Sequence, residues 1–304
     1  MGSEASTPGT RPVVAGVDGS RSTSATVDLA VAEAARRGAP LLIVHVWPGR
    51  YRGVFRSRDV VPSRADGRRL LEVAARRAEL TGPHVAISTE LLEGGAANVL
   101  AGCTARARLL VVGHRDDPVT RPSWGSTAAY LAHHSECPLL VNRGSGHNGP
   151  VVVASSARPS GAATVGYAFA EAAQLGARLV AVHMWARPGA ADGWAPVVAR
   201  GGYADERRAA ADRLSVALAE WSERFPEVTV EQLVVSDLDL ACTVERASRR
   251  GRLLVAGIGR HGRFAELLYG TAGAGPVGLR SSTCPVVLVP TGWPVLEQAQ
   301  PRAH

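Results

Sequence analysis

A glycine-rich segment near the end of the chain has the residue types and spacing for phosphate chemistry. Glycines at positions 257, 259 and 262 form the pattern G-x-G-x-x-G directly after the apolar run 253–256. Since glycine has no Cβ, such a loop allows backbone N–H groups to approach phosphate oxygens closely. A helix that begins after the loop adds its free N–H groups and the positive end of its dipole. The pattern therefore predicts an anion-binding turn at the end of a strand.

A dinucleotide-binding interpretation of this segment fails on its position in the chain. A Rossmann fingerprint belongs to the first strand–helix turn, with an acidic residue about 20 positions later on the next strand. Here the glycines follow the fourth strand predicted in their half of the chain, and no acidic residue lies between Glu266 and Glu297. The first turns, VDGS at 17–20 and SSAR at 155–158, contain no Gly-x-Gly. The segment is therefore not a first-turn dinucleotide fingerprint, and a plain strand-to-loop turn or another glycine-rich loop stays open for it.

The chain contains an internal repeat. PVVAGVD at 12–18 recurs as PVVVASS 138 positions later, and AEAA at 32–35 and HVW at 45–47 recur as AEAA and HMW at the same offset. LLVVG at 109–113 is matched by LLVAG at 253–257, and Cys137-Pro138 by Cys284-Pro285, in the same order. Because a Gly/Ser-rich segment at 143–149 separates the copies, we predict two domains, 11–143 and 149–290.

Each copy alternates strands with helices. Predicted strands of copy one are 13–17, 41–47, 85–92, 109–112 and 139–142, and predicted helices are 22–37, 63–80 and 96–107; copy two has helices 205–221 and 238–249 and strands 228–235 and 286–290. Near-continuous apolar strands between helices are typical of a parallel sheet covered on both faces. We predict two doubly wound α/β domains with five-stranded parallel sheets. Ligands bind such sheets beyond the carboxyl ends of the strands, where the strand order reverses.

Composition excludes several classes of function. The formal charge is +7, yet the 304 residues include no lysine, so Walker A, Schiff-base and protein-kinase chemistry has no lysine to use. No apolar run approaches the ~20 residues of a membrane span, and the first residues lack a secretory apolar region, so we expect a cytoplasmic chain. The arginines lack the interleaved aromatics of a single-strand binder, so we expect no specific nucleic-acid partner. The four cysteines have no zinc spacing and are expected to be reduced and mostly buried.

Together these motifs resemble the universal stress protein family. The resemblance rests on the VDGS turn, Gly38-Ala39, His45-Val46, the late glycine loop and the Cys-Pro pair before the last strand, and it covers both copies. It implies a Rossmann-like, adenine nucleotide alpha hydrolase-like fold and a non-catalytic role in the stress response. It also implies an intramolecular pseudo-dimer paired through the last strands, 139–142 and 286–289, and leaves a further homodimer open.

Nucleotide-binding members of this family carry a loop of the form G-x2-G-x9-G-[S/T]. In ATP-binding members, an aspartate that ends the first strand contacts the adenosine end, and backbone after the second strand frames the base. The resemblance therefore implies ATP, with Mg²⁺, as the ligand. The implied contacts are Asp18, Val46, Gly113, Asp116, Gly125 and Ser126 in copy one, and Ser156, Met184, Gly257, Arg260, Gly270 and Thr271 in copy two.

The two copies depart from this pattern in opposite ways. Copy one keeps Asp18, but Asp116 replaces the second loop glycine and Asp117 follows, so the carboxylates repel a triphosphate unless a magnesium ion lies between them. Copy two offers the cation of Arg260 to phosphate, but Ser156 replaces the aspartate, and losing such a charge-assisted hydrogen bond costs ~1.5–3 kcal/mol. We therefore expect at least one degraded cleft.

Three functions remain open on the residues alone. The leading one is a non-catalytic regulator that binds an adenine nucleotide. The second is a scaffold that binds no nucleotide, and the third is a weak ATP hydrolase, for which only Asp116 and Asp117 offer catalytic groups. His45 and His183 are either structural or line the cleft. The arginine-rich segment 50–58 is either a solvated loop or a lid over phosphates.

Overall fold

The polypeptide divides into two units, Met1–Asn142 and Arg143–His304, which we call unit 1 and unit 2. The computed structural model describes residues 11–48, 63–114, 127–144, 147–154, 157, 161–185, 200–236, 240–258 and 284–294, without the side chains of 184, 200–203, 240–242, 245 and 258. None of the helices in these ranges has the length and apolar content that a membrane crossing requires.

Unit 1 is a doubly wound α/β domain. Its elements are β1 (Val13–Val17), α1 (Thr23–Arg37), β2 (Leu41–Trp47), α2 (Arg64–Thr81), β3 (Ile87–Glu93), α3 (Ala96–Thr104), β4 (Leu109–Gly113), α4 (Thr127–His134) and β5 (Leu139–Asn142). The strands follow the order β3-β2-β1-β4-β5, and every pair is parallel. The order reverses between β1 and β4, so this pair of strand ends is the switch point of the sheet.

Unit 2 repeats the architecture. Its elements are β6 (Val151–Ala154), α5 (Ala162–Leu175), β7 (Leu179–Trp185), α6 (Arg200–Arg224), β8 (Val230–Ser236), α7 (Leu240–Arg250), β9 (Leu253–Ile258) and β10 (Val286–Pro290). The strands follow the order β8-β7-β6-β9-β10, all parallel, with the switch point between β6 and β9. The predicted α/β fold with parallel sheets is thus confirmed.

Buried aliphatic side chains form the centre of each sheet. Leu109, Leu110 and Val111 of β4 have no exposed surface, and neither do Val151 and Val152 of β6. Strands buried on both faces need helices on both sides, which explains the strict alternation of the two elements. Three cysteines, Cys103, Cys137 and Cys284, are free and buried, as predicted. Burial raises the pKa of Cys137 to about 12, so this thiol stays protonated at neutral pH.

Local chemistry sets the ends of the helices. Gly38 and Gly176 follow α1 and α5 with φ of 56° and 58°, a left-handed conformation in which glycine pays no Cβ penalty. Ser63 is the N-cap residue of α2. Its hydroxyl accepts from the Asp66 N–H while the Asp66 carboxylate accepts from the Ser63 N–H, a capping box. The hydrogen bonds from Ser63 lower the pKa of Asp66.

Several predicted boundaries were wrong. α3 ends at Thr104 instead of 107, because Arg106 N–H donates to Cys103 O and Ala107 N–H to Thr104 O, which tightens the last turn to a three-residue spacing. α6 begins at Arg200, five residues before the predicted start, and continues to Arg224. Gly113 and Gly257 were expected after their strands, but they belong to β4 and β9.

Candidate functional site

The carboxyl ends of β1 and β4 bring the first predicted contact residues to one edge of unit 1. Asp18 directly follows β1, Gly113 is the last residue of β4, and Val46 is the penultimate residue of β2. β1 is the neighbour of both other strands, with Val17 opposite His45 and Gly16 opposite Val112. The structure therefore places Asp18, Val46 and Gly113 at the same end of three adjacent strands.

A tight turn presents Asp18. Its carboxylate oxygen Oδ1 accepts from the Ser20 N–H at 3.0 Å, and Gly19 between them has φ of 76°. A Cβ on Gly19 would also lie 2.7 Å from Leu70 Cδ1 of α2, so both conformation and space require glycine here. Asp18 itself is exposed. Ser22 is the N-cap residue of α1, so Asp18 does not cap this helix.

The end of β4 is pressed against the first turn of α1. A Cβ on Gly113 would lie 2.5 Å from Ser22 Oγ and 3.0 Å from Thr26 Oγ1. The Ser22 hydroxyl is 2.9 Å from that of Ser20, and Thr26 Oγ1 donates to Ser22 O at 2.8 Å. A chain of contacts thus leads from Gly113 through Ser22 and Ser20 to the Asp18 turn.

Sequence reasoning missed Ser22 and Thr26. Hydroxyl residues at a helix start are ordinarily interpreted as caps, but the Ser22 side chain makes no capping hydrogen bond and Thr26 is buried. The available signal was the repeat, because Thr164 lies 138 positions after Thr26. A Cβ on Gly257 would lie 2.7 Å from Thr164 Oγ1, so the same glycine–threonine contact occurs in unit 2.

Two histidines bind the backbone of the first turn in their units. His45 Nδ1 lies 2.8 Å from Val17 O, and His183 Nδ1 accepts from the Ala157 N–H at 3.3 Å. His183 is 8% exposed and His45 is partly buried. These contacts support the structural interpretation of both residues.

The other predicted contacts lie in different parts of the chain. Met184 is in β7 and Gly257 in β9 of unit 2. Outside the described residues are Asp116, Gly125, Ser126, Ser156, Arg260, Gly270 and Thr271, together with the arginine-rich segment 50–58. Among the residues that are described, no three His, Cys, Asp or Glu side chains are grouped as a metal ion would require.

Known proteins with related sequences and folds give the family. The sequence model of the Universal stress protein family matches residues 9–143 and again 147–290. A universal stress protein of Mycolicibacterium smegmatis is 27% identical over 293 residues, covering 91% of this chain and 96% of that protein. One from Mycobacterium tuberculosis is 28% identical over 305 residues, covering 91% and 94%. Another from Mycobacterium tuberculosis is 32% identical over 257 residues, covering 81% and 88%.

A solved structure agrees at the level of the fold. The crystal structure of a universal stress protein from Archaeoglobus fulgidus superposes with a TM-score of 0.63 at 14% identity, covering 93% of this chain and 97% of that one. The resemblance found in the motifs is thus confirmed over nearly the whole sequence. The chain belongs to the universal stress protein family and carries the family's domain twice in tandem.

Proposed function

We propose that this protein is a non-catalytic regulator of the stress response that binds an adenine nucleotide, and that the switch-point edge of unit 1 is its principal site. The observation that carries the proposal is the presentation of Asp18. An exposed carboxylate is held by a tight turn at the carboxyl end of β1. This end lies beside β4, where the strand order of the sheet reverses. The resemblance to nucleotide-binding family members supplies the ligand class.

The chemistry of this edge fits a nucleoside. The Asp18 carboxylate can accept charge-assisted hydrogen bonds from ribose hydroxyls, which are about twice as strong as neutral ones. Val46, half-buried at the end of β2, offers an apolar side chain and backbone groups to the base. The hydroxyls of Ser20 and Ser22 line the path from Asp18 to the end of β4. Their mutual hydrogen bond uses one of the two protons, so the other hydroxyl can donate to an anion.

The phosphate end of the site depends on the residues that follow β4. Asp116, Gly125 and Ser126 are the proposed contacts in unit 1. Mg²⁺ between the phosphates and the Asp116 and Asp117 carboxylates would offset their repulsion, so ATP binding should require the metal more strongly than AMP binding does. In unit 2, Ser156 takes the place of the aspartate, and we propose that the cleft of that unit is degraded at its nucleoside end.

The scaffold without nucleotide is the second candidate. The contacts of Gly113 with Ser22 and Thr26, and of Gly257 with Thr164, explain both glycines by helix–strand packing alone. On that account the glycines are required by the fold and imply no ligand. Nucleotide titration separates the two candidates.

The proposal is tested by calorimetric titration of the full chain with AMP and ATP, with and without Mg²⁺, together with an assay of phosphate release. We expect binding without turnover. Asp18→Asn should weaken binding about 10- to 100-fold, because it removes the charge but keeps an oxygen for the Ser20 N–H. Asp28→Asn is the matched control, since Asp28 lies on α1 in an ion pair with Arg77, and it should bind like the wild type.

Each alternative predicts a different result. Release of phosphate above the background of the Asp18→Asn variant would favour the weak hydrolase. An absence of heat at millimolar nucleotide would favour the scaffold. Ser156→Asp should create or strengthen a second binding event, and no gain would count against the alignment of the two copies.

The assembly and location of the chain stay predictions of the family resemblance. We propose the intramolecular pseudo-dimer, a further homodimer and a cytoplasmic location as part of the same account. Analytical ultracentrifugation between micromolar and tens of micromolar protein tests the homodimer, which requires a mass twice that of the 31.7 kDa chain.

A further inference from the structure

We infer that His45 is a positioning residue of the nucleotide cleft, which holds the peptide that carries Asp18. The inference rests on the proposed function. Val17 O, the acceptor, lies 2.8 Å from His45 Nδ1, and a carbonyl oxygen only accepts, so Nδ1 bears the proton and donates.

The bond acts on Asp18 through peptide geometry. Val17 C=O and Asp18 N–H belong to one planar peptide unit, so fixing the direction of the carbonyl also fixes the backbone entering Asp18. Val17 is the last residue of β1 and lies opposite His45 in the ladder with β2. A side chain on β2 thereby sets the course of the chain at the point where β1 ends and the Asp18 turn begins.

The imidazole ring is itself held in place by α2. A Cβ on Gly67 would lie 3.0 Å from His45 Cδ2 and 2.9 Å from Leu91 Cδ1, so the helix backbone packs directly over the ring. Glycine inside a helix is destabilising relative to alanine, and the close approach to His45 explains why glycine is required at position 67. Leu70 of the same helix lies over Gly19, so α2 covers both the histidine and the turn that it fixes.

In unit 2, the histidine at the equivalent position accepts a hydrogen bond at Nδ1 instead of donating one. His183 Nδ1 accepts from the Ala157 N–H, so this nitrogen carries no proton in this contact. Position 157 corresponds to Gly19, where alanine disfavours the φ of 76° found in unit 1. Position 156 corresponds to Asp18 but holds serine. The histidine therefore donates in the unit that has the aspartate, and it accepts in the unit where serine replaces the aspartate.

Two substitutions at position 45 separate positioning from general packing. Asn can place an amide N–H at the position of Nδ1, whereas Leu fills similar space without a donor. We expect His45→Leu to weaken AMP binding about tenfold and His45→Asn to stay within about threefold of the wild type. His183→Leu is the matched control in unit 2 and should leave the affinity of the Asp18 site unchanged.

Circular dichroism of each variant checks folding, and ¹⁵N NMR of the imidazoles reads the wild-type protein directly. We expect a protonated Nδ1 at His45 and an unprotonated Nδ1 at His183. Equal AMP affinity of a folded His45→Leu variant and the wild type would overturn the inference and leave the proposed function standing. An unprotonated His45 Nδ1 would overturn it as well. A wild-type protein that binds no AMP would overturn the proposed function and, with it, the role of His45.

Discussion

The first two helices of each unit, α1 and α2 in unit 1 and α5 and α6 in unit 2, contact each other through different side chains. In unit 1, Arg77 of α2 makes two hydrogen bonds to the Asp28 carboxylate of α1, at 2.7 and 2.5 Å, and both side chains are more than a third exposed. In unit 2, the Trp221 ring of α6 lies against the backbone of Gly166 in α5 and is only 7% exposed. A solvated ion pair in one copy is thus replaced by a buried aromatic contact in the other.

The positions correspond on one helix and are neighbours on the other. Gly166 lies 138 positions after Asp28, whereas Trp221 lies 143 positions after Ala78, the residue next to Arg77. Backbone contacts support the second offset: Gly82 N–H donates to Ala78 O at 2.8 Å, and Phe225 N–H donates to Trp221 O at 2.9 Å. The exchange is complementary, because glycine on one helix makes room for tryptophan on the other.

The comparison shows which part of the domain is free to change. Phe225, which stacks with Phe169 at 6.1 Å between ring centres, takes the position of Gly82, so two aromatic residues of unit 2, Trp221 and Phe225, stand where unit 1 has Ala78 and Gly82. Both units share a contact between a threonine in the first turn of the helix and the glycine of β4 or β9. The contact between the two helices has therefore diverged, whereas this glycine–threonine contact has been kept.

Removing the tryptophan should have the largest effect. We expect Trp221→Ala to lower the free energy of unfolding of unit 2 by about 3–5 kcal/mol, because it leaves a cavity beside Gly166 and Phe225. Denaturant unfolding measures the loss, and hydrogen exchange should assign it to residues 162–224. Val216→Ala on the same helix, where the side chain is 76% exposed, should change stability by less than about 0.5 kcal/mol. Equal effects of the two variants would show that the ring is not a core residue.

Adding a methyl group under the ring should have an intermediate effect. Gly166→Ala improves the helix propensity of α5, but its Cβ would collide with the buried Trp221 ring, and we expect a net loss of about 1–3 kcal/mol. Gly102→Ala in α3 has nothing within 4 Å of its Cβ and should instead stabilise unit 1 by about 0.5–1 kcal/mol. The same unfolding assay decides, and a stabilising Gly166→Ala would mean that the ring moves aside freely.

Breaking the ion pair should have the smallest effect. Arg77→Ala removes a contact that solvent and salt already screen, so we expect a slight drop in the unfolding midpoint of unit 1 at low ionic strength. In 1 M NaCl the difference from the wild type should vanish. A loss comparable to that of Trp221→Ala, or one that persists at high salt, would contradict the view that this ion pair contributes little.

The sequence predicted the strands of unit 1 well and its side-chain contacts poorly. The strands at 13–17, 41–47 and 139–142 match to the residue, because each is an apolar run bounded by turn residues. The start of α6 at Arg200 was missed, since Gly201 and Gly202 disfavour a helix.

The candidate site was predictable only in part. Asp18 was named from the family resemblance, and its place after β1 agrees with the rule that parallel strands bring their carboxyl ends to one edge. Ser22 and Thr26 were missed because their partner, Gly113, lies nearly 90 positions away and meets them only through the order of the sheet. His45 faces a backbone carbonyl and His183 faces a backbone N–H, and this difference could not be predicted because both histidines occupy the same motif.

The central claim is that an adenine nucleotide binds where β1 and β4 end in unit 1. Amide NMR of the ¹⁵N-labelled protein during an AMP titration tests it most directly. We predict saturable shifts at Asp18, Gly19, Val46 and Gly113 that the Asp18→Asn variant weakens. Saturable shifts confined to the opposite, amino ends of these strands, or no shifts at millimolar AMP, would contradict the claim.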